Sequence, residues 1–291
     1  MIIDCHTHLN RYTPEEPADL AERFATLKTE MRSHGVDYAL ILSSYAVTPE
    51  RPSVDEILEV VRDDEQIGVV AGISYYAYRS SDLAHLRVLL RSGRVKALKL
   101  YPGYEAFYVH DPRMRVVYEL AEEFSVPVMI HAGDTFDPKG KLKYAHPLEV
   151  DEVAVDFPGV TFVICHLGNP WVTDAMEVIY KNENVVGDIS GLTLGRFEER
   201  FERYMLQQLN EVVTFAGDPS SILYGTDWPI CEMGSYLRFV RNLDLSEGER
   251  ELILSGNAMR VFGIPDVKSG TGTGAGTGTE KALRDDNGDA D

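Results

Sequence analysis

Cysteine is scarce in this chain: Cys5, Cys165 and Cys231 are the only three in 291 residues. A set that small and odd in number excludes a disulfide framework and fits a reducing compartment. Basic side chains are also in deficit, 28 against 47 acidic, for a formal net charge of -19. The acids are spread along the chain, which argues against nucleic acid as a partner, since phosphate binding needs the opposite sign. No stretch approaches the ~20 apolar residues of a membrane span. The opening residues bring Asp4 and further polar side chains before an apolar run can form, so no signal peptide is expected. These absences predict a cytoplasmic protein with no membrane or nucleic-acid partner. Lysine is scarcer than arginine, and an acidic, lysine-poor surface predicts adaptation to high salt, where screening suppresses self-repulsion.

What is present is a regular alternation. Hydrophobic residues make up 44% of the chain, enough for a substantial core. Short β-branched or apolar runs alternate with amphipathic segments. The strand candidates are 1–5, 38–42 (YALIL), 67–73 (IGVVAGI), 95–100 (VKALKL), 126–130 (VPVMI), 160–165 (VTFVIC), 184–189 and 221–224. The helical segments between them are 18–34, 54–63, 82–92, 112–124, 147–157, 171–181, 197–213 and 236–243. Eight strand-then-helix units predict an α/β fold, a (β/α)8 TIM barrel, over residues 1–265. An open doubly wound sheet shows the same alternation, but a G-x-G-x-x-G turn does not follow the first strand, and about 250 residues is the usual barrel length. The segment "EGERELILSGNAMRVFGI" predicts extra C-terminal helices packed on the outside of the barrel. Residues 266–291 contain "GTGTGAGTGT" and an acidic end, with too few large apolar side chains to offset ordering entropy, so a disordered tail is expected there.

Chemically capable residues stand where these apolar runs end. "MIIDCHTHLN" opens the chain, and His6 and His8, two apart, share a face if the strand continues, so both imidazoles can lean toward one metal ion. By the same alternation Cys5 and Cys165, each directly before a histidine, point the other way and are small core residues. His131 follows the fifth run ("VMIHAGDT"), His166 the sixth ("FVICHLGNP") and Asp227 the eighth ("LYGTDWPI"), and Lys99 ends the fourth. Barrel enzymes assemble their sites at this C-terminal rim. Tyr101, Tyr104, Tyr108 and His110 in "YPGYEAFYVHDP", and Trp228 beside Asp227, are placed to line such a pocket. His34, His85 and His146 have no convergent partner and are expected to be structural or solvent-facing.

With "DCHTH", "KLYPGY", "HAGD", "CHLG", "GTDWP" and "ILSGNAMRVFGI" in this order, the chain resembles the amidohydrolase superfamily, specifically amidohydrolase family 2. The resemblance implies a metal-dependent hydrolase in which a metal-activated water cleaves an amide, ester or lactone bond of a small molecule. It implies a divalent metal, most often zinc, held by His6, His8, His131 and Asp227, with one metal favoured over two. Asp227 and His166 would be the catalytic residues. A second metal would recruit Lys99, carbamylated, together with His166. Otherwise Lys99, with Tyr101, Tyr104 and Trp228, would contact substrate. The same site in this family also serves non-oxidative decarboxylation of aromatic or unsaturated acids. A barrel that keeps its metal only as a structural or sensing element is the non-catalytic alternative. Many barrels of this kind pair, so a homodimer stands beside the monomer as an expected assembly.

Overall fold

A computed structural model describes residues 1–265, so the expected tail lies outside the described residues. Every predicted strand forms: β1 (Ile3–Thr7), β2 (Tyr38–Leu42), β3 (Ile67–Ile73), β4 (Val95–Leu100), β5 (Val128–Ile130), β6 (Phe162–Ile164), β7 (Val185–Asp188) and β8 (Ile222–Leu223). All neighbouring pairs are parallel and run in chain order. The helices that follow them are α1 (Leu20–His34), α2 (Val54–Val60), α3 (Ser80–Arg91), α4 (Arg115–Phe124), α5 (Leu148–Asp156), α6 (Val172–Lys181), α7 (Glu199–Ala216) and α8 (Met233–Arg241). Parallel strands need a crossover of this length, and a ring of helices buries the outer sheet face. Local sequence supports the boundaries: Ser53 and Glu56 cap α2 reciprocally, and Gly35 ends α1 in the left-handed conformation.

The barrel interior is filled from every strand, with Ile3, Leu40, Val70, Ala97, Met129 and Val163 among the inward side chains. The expectation that the C-terminal segment packs on the outside holds for Ile253, which joins the outer layer, and is corrected for the last helix. α9 (Glu247–Glu251), a π-helical turn at Leu252–Gly256 and α10 (Asn257–Phe262) follow the eighth unit. Ala258, Phe262 and Ile264 share the cluster of the interior side chains rather than joining the outer layer. The last helix therefore stoppers the barrel floor. Its apolar stripe is needed there, because the strand starts otherwise leave the inner core open to water.

Closure between β8 and β1 rests on a few bonds. The Cys5 amide donates to the Tyr224 carbonyl (3.0 Å), the His8 amide to that of Trp228 (2.7 Å), and the Asp227 amide to that of His6 (2.8 Å). The fully buried Asp4 carboxyl accepts from the Thr226 amide (3.0 Å), the Thr226 hydroxyl (2.6 Å) and the His6 amide (3.1 Å). This seam places β1 and the residues after β8, the two distant ends of the barrel sequence, side by side at the rim.

Candidate metal centre and active site

The first expected feature, two histidines facing inward, arises by a device that simple alternation does not supply. Asp4 pairs with Ala39, but Thr7 pairs with Ile41, so β1 carries one extra residue against β2. This bulge shifts the side-chain parity. Ile3 and Cys5 face inward before it, which corrects the expectation that Cys5 points away from the histidine face, and His6 and His8 face inward after it.

Each imidazole is then fixed by the nitrogen that faces away from the cavity. His6 Nδ1 donates to Asp188 Oδ2 at 2.9 Å, and His8 Nδ1 to the Leu42 carbonyl at 3.0 Å. Those bonds set the tautomers and leave both Nε2 lone pairs free. The two Nε2 atoms lie 3.7 Å and 3.2 Å from Asp227 Oδ1. Donor atoms of His6, His8 and Asp227 all fall within 4.8 Å of one another. Burial, reinforced by the nearby Lys99, pushes His6 down to about 4, against the pull of Asp188 and Asp227. Burial also lowers His131 and His166. For Asp227, burial acts upward but is outweighed by the adjacent His8 and by His6 and His166, so its carboxyl stays below the usual range. Lone-pair imidazoles beside an ionised carboxylate are the protonation states that a divalent cation requires. The donor set, two nitrogens and one hard oxygen, suits such an ion.

The remaining predicted residues divide. His166 joins the site, its ring 5.0 Å from those of His6 and His131. It sits at φ 60, immediately before Leu167 at φ 45, so the chain leaves β6 in a tight turn. Strand alternation therefore fails there. Cys165 and His166 both face the interior, which corrects the expectation that Cys165 points away. Its Sγ accepts from Lys99 Nζ at 2.6 Å and groups with His6 and Asp188 donors within 4.8 Å. Lys99 is buried and lines the cavity, but its ammonium is spent on Cys165. His131 is close by, with Nε2 donating to the Asp134 carbonyl at 3.0 Å. Among the described residues, neither donor cluster includes His131 or His166.

Tyr101 and Tyr104 line the cavity. The Tyr101 hydroxyl is committed to the Ser43 carbonyl at 2.6 Å, and the Tyr104 oxygen accepts from the Phe136 amide at 3.1 Å. Trp228 does not reach the cavity. The turn at Asp227, φ 69, sends it outward into the layer that holds Leu9, Leu27 and Met31. Tyr108 and His110 stack on each other outside the cavity, with His110 near Glu149. His34, His85 and His146 face Glu30, Asp55 and Asp174 respectively, as peripheral residues.

Four functional positions were not anticipated. Asp188, at the end of β7, binds His6 and also accepts from the His166 amide at 2.9 Å. Ser190 places its hydroxyl 2.9 Å from Nδ1 of both His6 and His166. Tyr12 and Arg51 come from loops onto the cavity wall. "VVGDIS" held a readable signal for Asp188, an acid ending an apolar run, whereas the loop residues had none. Gly191, φ 59, is required where it stands: a Cβ would lie 2.6 Å from His166 Nδ1 and 3.0 Å from Asp227 Oδ2.

The cavity over this centre holds about 370 Å³ and carries Arg11, Arg51 and Lys99 on its wall. Asp137 and Asp227 stand in the same lining, and the Arg11 guanidinium donates to the Pro14 and Glu16 carbonyls. Among the described residues no helix is long and apolar enough to cross a membrane.

The amidohydrolase family pattern matches residues 3–264. No curated protein matches the sequence. Among solved structures, an uncharacterised TIM-barrel protein of Bordetella bronchiseptica is 23% identical with a TM-score of 0.71, over 90% of this chain and 98% of that one. A candidate 2-pyrone-4,6-dicarboxylic acid hydrolase of Pseudomonas putida is 18% identical with a TM-score of 0.65, over 90% and 97%. A dihydroxybenzoic acid decarboxylase of Polaromonas sp. JS666, with bound manganese and the inhibitor 2-nitroresorcinol, is 13% identical with a TM-score of 0.64, over 93% and 99%. At such identities these likenesses speak for the barrel itself. The family match over nearly the whole described chain goes further: the protein belongs to amidohydrolase family 2, a family of metal-dependent barrel enzymes.

Proposed function

We propose that the chain is a hydrolase of a small anionic carbonyl compound, an ester, amide or lactone, dependent on one divalent cation, with zinc the favoured ion. The observation that carries this reading is the convergence of His6 Nε2, His8 Nε2 and the Asp227 carboxylate beneath a cation-lined cavity. When bound, the cation supplies Lewis acidity toward a carbonyl and toward water. Two histidines and one carboxylate form a familiar catalytic zinc set, with room left for a further ligand.

The protein's own groups handle the protons. Asp227, ionised and itself one of the three donors, takes a proton from the attacking water and returns it to the leaving atom. His166 donates Nδ1–H to the Ser190 carbonyl at 2.9 Å, so its free Nε2 is a proton acceptor, which makes it a second base rather than an oxyanion donor. Tyr12 fills the donor role: its oxygen already accepts from Asn10 Nδ2 at 2.9 Å, leaving its own O–H for a substrate oxygen. Arg51 lies over the Tyr45 ring, 5.7 Å from its centroid, and holds the substrate's anionic group.

A panel of anionic esters, lactones and amides, run beside aromatic and unsaturated carboxylic acids, tests this. Hydrolysis without release of carbon dioxide is the expected result, and metal analysis is expected to return one zinc per chain. Replacing Arg51 by Met should raise KM about 10- to 100-fold on the anionic substrate, the worth of one charge-assisted hydrogen bond, and far less on a neutral analogue. Equal effects on both would remove Arg51 from the site. The decarboxylase reading is favoured by the same cations, which also suit a carboxylic acid. Carbon dioxide release without water consumption would establish it instead.

The charge balance supports adaptation to high salt in a cytoplasmic setting. At a net charge of -19, molar KCl shortens the screening length to ~3 Å and relieves self-repulsion. Thermal melting in 2 M KCl should therefore rise by about 5 °C or more over 0.1 M. No gain would mark the acidity as ordinary solubility.

A further inference from the structure

The wall formed by His131, His166 and Asp227 has a second chamber on its other side. It holds about 140 Å³ and shares these three residues, and also Tyr104, Phe136 and Ile230, with the larger cavity, whereas the segment from Gly191 to Leu194 lines the smaller one and not the larger. Arg11, Arg51 and Lys99 belong to the larger chamber. The smaller one has no cation; Leu192 and Leu194, with Phe136 and Ile230 on the shared wall, give it an apolar patch beside the polar Asp134, Asn169 and Thr193. Phe136 and Leu194 are otherwise unexplained. They are 66% and 62% exposed, and Phe136 is the most exposed large apolar side chain among the described residues. Leu192, Thr193 and Leu194 also border an open groove on the far side, so the chamber has a route outward.

We infer that the substrate straddles His166 and Asp227, with an anionic acyl portion in the larger chamber and a neutral alkyl leaving group in the smaller one. The substrate would thus be an acyclic half-ester or half-amide, and Phe136 and Leu194 would set leaving-group specificity. This rests on the hydrolytic reading above. For the ester, the oxygen of water bonds to the acyl carbon. The bond from that carbon to the alkoxy oxygen breaks with its electron pair on the oxygen, and the proton taken from water joins it, so that acid and alcohol are the products.

Methyl, ethyl, propyl and butyl half-esters of glutaric acid test the assignment on the metal-loaded enzyme. Each methylene buried should raise kcat/KM about three- to fourfold, and the double variant Phe136→Ala/Leu194→Ala should flatten that slope. Val47→Ala, a comparably exposed apolar position that lines neither chamber, should keep it. Hydrolysis with no slope, or a slope that survives in the double variant, would overturn the inference and leave the hydrolase intact. No hydrolysis of any half-ester would count against the hydrolytic reading. Binding of 1-butanol, followed by ligand-observed NMR with glutarate present, decides the chamber independently of turnover. Binding together with glutarate and loss of butanol binding in the double variant are expected. Displacement by glutarate would overturn two separate chambers.

Discussion

Alanine at His6 or His8 removes both the bound metal and more than about a thousandfold of kcat/KM, because each substitution deletes one of three converging donors. Each ring is held from behind, His6 by Asp188 and His8 by the Leu42 carbonyl, so each donor nitrogen is fixed in place and its loss leaves two of the three. Asp188→Asn should be milder, with metal affinity or activity falling about 10- to 100-fold, as expected when only the support behind a ligand is weakened. Metal content by elemental analysis and turnover should fall together across the three variants, while circular dichroism stays that of the parent protein. Turnover that persists in His6→Ala after the metal has gone would refute the assigned chemistry.

Asp4→Ala should destabilise the fold by about 3 kcal/mol and lower the melting temperature by about 6–12 °C. Burial lifts the Asp4 carboxyl to about 7, and its donors from Thr226 and His6 pull it back. Alanine leaves the Thr226 amide and hydroxyl and the His6 amide without that acceptor in a site with no water access, at the one seam that joins the first strand to the last. Asp4→Asn keeps one acceptor oxygen and should lose less. The measurement is thermal melting of the purified variants. A shift within about 2 °C for alanine would mean that the seam is held by the backbone bonds alone.

How much of this was legible in the sequence depended on whether a residue obeyed a periodic rule. The strands followed from apolar runs because burial on both faces leaves little else for a parallel barrel strand to be. Their ends differ by a residue or two where local chemistry intervenes: Pro127 offers only its carbonyl, to the Leu98 amide, and β5 is assigned from Val128. His6, His8, His166 and Asp227 were found because a polar side chain that ends an apolar run is conspicuous. Asp188 showed the same pattern but is indistinguishable in sequence from a helix cap. Predictions of direction failed where the backbone broke the regular strand, at Cys5, Cys165 and Trp228, since alternation assumes an uninterrupted extended chain. Even the success at His6 needed an unpaired extra residue in β1 that no pattern in the sequence announced. Tyr12 and Arg51 were invisible because long loops carry them to the wall, and the route of a loop is set by tertiary contacts rather than by its own composition.

The stopper made by α10 divides the molecule's burdens between its two ends. Phe262 and Ile264 seal the end of the strands remote from the catalytic mouth, so a surface linker or fusion partner attached beyond them leaves the entrance facing away from its support. The protein is in this sense ready for immobilisation from its carboxyl side, and the loops around the mouth can be exchanged without loosening the plug at the other end.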